Sequence, residues 1–306
     1  MLVDKMKELP LVKESGILKI DPVRGLFSRY DKTVYIAEKI DPKLTIKGNQ
    51  EAYVPAQNFF SLFAELKSAE ITDTLCHLTL KNGAEYDLPF VDVAWDNREF
   101  TLDTEPDATI KLEPGRLSSA TLKNLANPML QCIYIDAASA VSCNSMVACI
   151  DGNTTSKTPL ILPPDIINII EGAQFDIRII DGNYVLAMKD GVVSVPIPGV
   201  DYAETAEMLR DSLPVNQLPE VPVKGLIDSL KRLATLSEQV VFESDKVYAG
   251  DNFEPFNFPT ANNQFVYSIQ NLLSVLPFVR TMAQSDYALL LRGDKFVFMI
   301  SPESDE

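Results

Sequence analysis

The chain contains one histidine, His77, and four cysteines, Cys76, Cys132, Cys143 and Cys149. A Ser-His-Asp triad would have to use His77, and no C-x-x-C pair offers the usual spacing for zinc. His77 alternates with leucines in TLCHLTL, which places it facing solvent on a strand. The cysteines lie in apolar, strand-like surroundings and read as reduced core thiols. Neither a GxGxxG nor a P-loop motif is present. The carboxylate pairs Asp92 with Asp96 and Asp201 with Glu204 read as solvated loop or helix charges, whereas acid–base work needs two carboxylates in unlike environments. The expectation is a chain that is not an enzyme, with no catalytic residues, no metal and no cofactor.

Composition narrows the class. The 306 residues are 23% charged and 46% hydrophobic, which suits a globular protein long enough for two or three domains. Lys plus Arg number 27 against 43 Asp plus Glu, a formal charge of −16. That excludes a uniformly basic nucleic-acid binder but leaves room for a local basic patch. No apolar run is long enough to span a bilayer, and MLVDKMKELP lacks the apolar core of a signal peptide, so a cytoplasmic location is expected.

The elements that must position any site repeat along the chain. Segments starting at Tyr53, Leu160 and Phe265 share one order, with spacings of 107 and 105 residues. Each begins with a short strand and runs into a helix with apolar residues at i, i+3, i+4 spacing: Phe59, Phe60, Leu62 and Phe63; Ile166, Ile167, Ile169 and Ile170; Leu272, Leu273, Val275 and Leu276. Alternating strands follow, turned at Asn82-Gly83, Asp181-Gly182-Asn183 and Arg292-Gly293-Asp294, residues that tolerate positive φ. The intervening stretches repeat the pattern, as in IKLEPGRLSSATLKNLANP followed by QCIYID, AVSCNS and MVACIDGN. The chain therefore reads as six helix-plus-strand units paired into three similar domains, 1–105, 106–207 and 208–306, of α+β class with antiparallel sheets.

This pattern resembles the bacterial beta sliding clamp family, processivity factors of replicative DNA polymerase, or a phage-encoded relative. The resemblance covers nearly the whole chain. It is carried by Gly199 to Gln239 (GVDYAETAEMLRDSLPVNQLPEVPVKGLIDSLKRLATLSEQ), similar to the family's second-to-third domain connection; by MVACIDGN, Met146 to Asn153; and by FVYSIQNLLSVL with LLLRGDKFVFMISP near the carboxyl end. Two departures stand out. Helix-like sequence begins at Leu2 where the family opens with a strand, and the chain ends in the acidic SPESDE.

The resemblance implies a homodimeric ring around duplex DNA, with helices lining the hole and sheets forming the rim. Taking helices at 2–8, 56–67, 116–126, 163–170, 223–236 and 268–283, nine basic residues face five acidic ones on them. The basic residues are Lys5, Lys7, Lys67, Arg116, Lys123, Lys224, Lys231, Arg232 and Arg280, the candidate DNA-facing set. Such cations make loose, sequence-independent phosphate contacts. The resemblance also implies a pocket in which polymerase and clamp loader insert a short apolar peptide, matched here by Ile150, Gly152, Asn153, Val200, Val297 and Met299. Glu204 falls where the family tends to carry a basic residue, which points to a different peptide preference. The alternatives are a monomeric accessory protein that never closes a ring, and a structural repeat protein with no DNA role.

Overall fold

The computed structural model describes residues 16–30, 34–92, 100, 102–121, 127–189, 191–214, 218–259, 261 and 264–303. The expected helix at 2–8, with Lys5 and Lys7, and Lys123 lie outside these residues. The architecture is α+β, with short helices and mostly antiparallel sheets, and the chain divides into two compact units.

The first unit comprises Met1–Thr109 and Asn168–Ile197. Its large sheet runs in the order Ala52–Pro55, Ile17–Asp21, Leu26–Tyr30, Tyr35–Lys39, Gly191–Pro196, Asn183–Met188, Gln174–Ile180 and Ala108–Lys111. The strand Tyr35–Lys39 pairs antiparallel with Gly191–Pro196, so residues far apart in sequence share one sheet. The Gln174–Ile180 hairpin turns tightly through Asp181 and Gly182, both at positive φ, as the Asp-Gly pair predicts. Helix Ala56–Leu62 buries Phe59 edge-on to Phe27, 5.5 Å between ring centroids. A second sheet joins Thr45–Lys47, Leu66–Ile71, Leu75–Leu80 and Glu85–Pro89. In Leu75–Leu80 burial alternates, and His77 lies on the more open face, as expected.

The second unit comprises Ile110–Ile167 and Pro198–Glu306. Its large sheet runs Leu160–Leu162, Ile133–Ile135, Ala140–Cys143, Val147–Asp151, Phe296–Ile300, Leu289–Arg292, Thr281–Gln284 and Val221–Pro222. The two central strands, Val147–Asp151 and Phe296–Ile300, are buried along their whole length, because both faces of the sheet are covered. A smaller sheet orders Asn252–Pro255, Lys246–Ala249, Gln239–Phe242 and Val266–Ser268. Helix Leu226–Leu233 buries Leu226, Leu230 and Leu233 at i, i+4, i+7, each worth about 2 kcal/mol of apolar transfer.

The helices are shorter than their apolar periodicity predicts. Helix Ile269–Val275, capped by the Ser268 hydroxyl, tightens into a 3-10 turn at Leu276–Phe278. Pro277 has no N–H to continue it, and Arg280 therefore precedes a strand rather than riding on a helix. Lys67 likewise sits on the strand Leu66–Ile71, where Leu66, Ala69 and Ile71 are the buried residues. At 116–126 the described part is a turn and a 3-10 helix, Ser118–Ala120, because the Ser119 and Thr121 hydroxyls donate to the carbonyls of Arg116 and Ser118 and compete with a helical ladder. Conversely, Ala203–Asp211, within what reads in sequence as a connection, is a helix. Among the described residues no helix is long and apolar enough to cross a membrane.

Candidate functional site

The second unit contains a cleft of about 400 Å³ beside its central strands. The cross-strand neighbours Ile150 and Val297 form its apolar floor, joined by Phe296 and Leu213. Alternation along the strands puts Ala148 and Met299 on the same face, where they join one core cluster with Val141, Cys143, Tyr202 and Ala206.

The turn after Val147–Asp151 shapes one wall. The Gly152 N–H donates to the Lys295 carbonyl at 2.8 Å, and the Asn153 side-chain amide donates to the Asp294 carbonyl at 2.8 Å. A Cβ on Gly152 would lie 3.1 Å from that Lys295 oxygen, so glycine permits the close approach of the two loops. Asp151 anchors the turn from within. One carboxylate oxygen accepts from the backbone and side-chain N–H groups of Asn153, and the other accepts from Arg116 at 2.8 Å. The Arg116 guanidinium also stacks 4.3 Å from the Phe296 ring centroid.

Helix Ala203–Asp211 builds the opposite wall. Tyr202 is fully buried, stacks on Tyr134 with centroids 5.7 Å apart and meets the Cys143 sulfur at 3.2 Å, while Ala206 packs below it. Arg210 then reaches the rim, where it grips Asp136 with both terminal nitrogens at 2.8 and 2.9 Å and donates to the Ser139 hydroxyl at 2.9 Å. Burial works against ionisation of Asp136, but Arg210 and the N–H groups of Ala138 and Ser139 outweigh it and hold the carboxyl below its usual range. A third cation, Arg292, is steadied by Glu220 at 3.1 Å, and Lys295 completes the rim.

Of the residues assigned to a peptide pocket from sequence, Ile150, Gly152 and Val297 line this cleft. Asn153 clasps its wall, Met299 lies further along the same strand face, and Val200 packs half-buried against the same cluster. Sequence reasoning did not find Arg210, Leu213, Arg292 or Phe296. The spacing of Tyr202, Ala206, Leu209 and Leu213 is helical and would have delivered the first two.

The cationic set fares unevenly. Lys224, Lys231 and Arg280 are exposed and make no ion pair among the described residues, and Lys67 is exposed on its strand. Arg232 is exposed but held by Glu254 through two 2.8 Å contacts. Arg116 does not face solvent as a phosphate ligand would: its side chain is 16% exposed and committed to Asp151, itself 1% exposed.

An apolar floor under a cationic rim is an arrangement that can bind a ligand. Burial raises the thiol pKa values of Cys143 and Cys149, and that of Cys76 to about 11, so these thiols are poor nucleophiles. Among the described residues, no group of three His, Cys, Asp or Glu side chains is placed to hold a metal ion.

No protein-family profile matches the chain, and no curated protein matches it by sequence. Solved structures do match. The DNA polymerase III beta chain of Streptococcus pneumoniae superposes with a TM-score of 0.75 at 13% identity, over 99% of this chain and 97% of that one. The DNA polymerase sliding clamp of Bacillus subtilis gives 0.73 at 13% identity, over 100% and 97%. A Helicobacter pylori beta clamp bound to a DNA ligase peptide gives 0.69 at 12% identity, over 99% and 97%. The chain has the sliding-clamp fold over essentially its whole length.

Proposed function

We propose that this protein is a sliding clamp: a processivity factor that encircles duplex DNA without reading its sequence and tethers a replicative DNA polymerase. The observation that carries this reading is the full-length likeness to beta clamps, which extends over nearly all of this chain and of theirs. Its action is topological and requires no reaction at any residue. It works in the cytoplasm, or in a host's cytoplasm if the chain is phage-encoded.

The cleft over Ile150 and Val297 is the docking site for short apolar peptides of the polymerase and the clamp loader, with Gly152, Asn153, Val200 and Met299 shaping it. Support comes from its apolar floor and from the Helicobacter pylori beta clamp, whose structure holds a DNA ligase peptide. The cations proposed to meet phosphate are Lys224, Lys231 and Arg280, with Arg232, Lys67, Lys5, Lys7 and Lys123 in the wider set. Arg116 leaves that set because Asp151 engages it.

Ring closure as a homodimer is supported by two sheet edges. Glu85–Pro89 ends the small sheet of the first unit with Tyr86 45% exposed, and Asn252–Pro255 ends that of the second with Phe253 58% exposed. Pairing the first edge of one copy with the second edge of another would cover both.

The test is retention after loading. A topological clamp persists on nicked circular DNA and slides off linear DNA with free ends; equal lifetimes on the two would refute the ring. Native mass at micromolar concentration separates a closed dimer from a monomeric accessory protein.

A further inference from the structure

We propose that the cleft selects peptides in which an apolar anchor is accompanied by a carboxylate, and that Lys295 is the residue that reads this charge. The proposal rests on the cleft being a peptide site, as above. Its ground is the rim's composition. Among the described residues that line the cleft, three are cationic, Arg210, Arg292 and Lys295, and none is acidic. This occurs in a chain whose acids outnumber its bases by 43 to 27. The balancing carboxylates, Asp136 and Glu220, are not among the residues lining the cleft; Asp136 fixes Arg210 through two hydrogen bonds, and Glu220 lies 3.1 Å from Arg292 as its ion-pair partner.

Lys295 differs from the two arginines. Its backbone is pinned through its carbonyl to the Gly152 N–H and sits at φ 58°. Its side chain is exposed, makes no ion pair among the described residues, and lines the cleft next to Phe296. A solvated ammonium beside an apolar floor gains a charge-assisted hydrogen bond when a carboxylate arrives with an apolar side chain. Asp294 precedes it in the turn but does not line the cleft, and its carbonyl is taken by Asn153. The required carboxylate can come from an Asp or Glu side chain or from a peptide's C-terminus.

The test uses the full chain, fluorescently labelled, on two random octapeptide bead libraries, one with free C-termini and one amidated. The expected result is enrichment of Leu, Ile, Met or Phe together with Asp or Glu, the acids over-represented about two- to fivefold as one exposed charge pair allows. Lys295→Gln should abolish the acid bias and Lys295→Glu should invert it toward Lys and Arg. Acid enrichment confined to the free-terminus library, at its last position, assigns the carboxylate to the chain end; enrichment in both assigns it to a side chain. Apolar enrichment with no acid bias in either library, or an acid bias indifferent to both Lys295 variants, overturns the proposal and leaves the peptide site standing. Leu213→Glu, at a half-buried lining position, separates the two readings: if it selects the same peptides as the unaltered chain, the cleft is not the site at all.

Discussion

Arg116 and Asp151 form an ion pair of 2.8 Å at the back of the cleft, one member 16% and the other 1% exposed. The pair ties the turn that carries Gly152 and Asn153 to a segment 35 residues earlier, and the guanidinium continues onto the face of Phe296. Removing one partner strands a buried charge, so Arg116→Ala should cost about 2–3 kcal/mol of stability. Asp151→Ala should cost a similar amount, and the double variant less than the sum of the two. Urea denaturation of the four proteins measures this coupling. Additive losses would mean that the contact carries no energy.

Tyr202 makes a separable prediction. It is fully buried between Tyr134 and Cys143 at the start of the helix that brings Arg210 to the rim, and burial is the main reason its hydroxyl stays protonated far above the ordinary tyrosine range. Tyr202→Phe keeps the ring stack and loses the hydroxyl's contacts to the Cys143 sulfur and backbone, at a cost of about 1 kcal/mol. Tyr202→Ala opens a cavity under the helix and should cost about 3–5 kcal/mol. Hydrogen exchange in 203–211 should rise selectively in the second variant; uniform exchange across the unit would show that the tyrosine does not anchor the helix.

How much of this was legible beforehand depends on the range of the interactions. The strand around His77 and the Asp181-Gly182 turn follow from alternation and turn chemistry a few residues wide, and the structure has both. Helix Pro164–Ile170 also lies within the range its apolar spacing marks. The fate of Arg116 was not legible. Its spacing from Lys123 suggests two cations on one helix face, whereas the actual partner lies 35 residues on, at the end of the strand Val147–Asp151, and pulls the side chain inward. The Arg210–Asp136 grip spans 74 residues and was hidden for the same reason. Apolar periodicity also overstated helix length, since Pro277 and the hydroxyls of Ser119 and Thr121 end helices that the periodicity would extend.

His77 gives a pH prediction. Its Nδ1 lies 2.6 Å from the Asp87 carboxylate and its Nε2 3.9 Å from Glu85. The hydrogen bond to Asp87 is the largest influence, and it raises the imidazole pKa above its ordinary 6.5. A raised folded-state pKa means that the contribution to stability is fully present below about pH 6.5 and is lost as pH rises through the folded value. The thermal midpoint should therefore carry a component that declines as pH rises above about 6.5, and His77→Gln should remove it. A variant with the same midpoint–pH curve as the unaltered chain would assign that decline to other groups.

The final prediction separates affinity from topology. Lys224 and Lys231 are exposed, lie on or beside helix Leu226–Leu233 and make no ion pair among the described residues. If they meet phosphate, each Lys→Gln change should lower the slope of log affinity against log salt by about 1, equally for any DNA sequence. Lys43→Gln, at an exposed turn in the first unit, is the matched control and should leave the slope unchanged. Once a ring has closed on a nicked circle, escape requires a junction to open, and loose phosphate contacts do not hold that junction shut. The double variant should accordingly load less well as salt rises, yet stay on closed circles nearly as long as the unaltered chain. A shortened lifetime on circles in proportion to the lost affinity would indicate that charge rather than enclosure holds the protein on DNA.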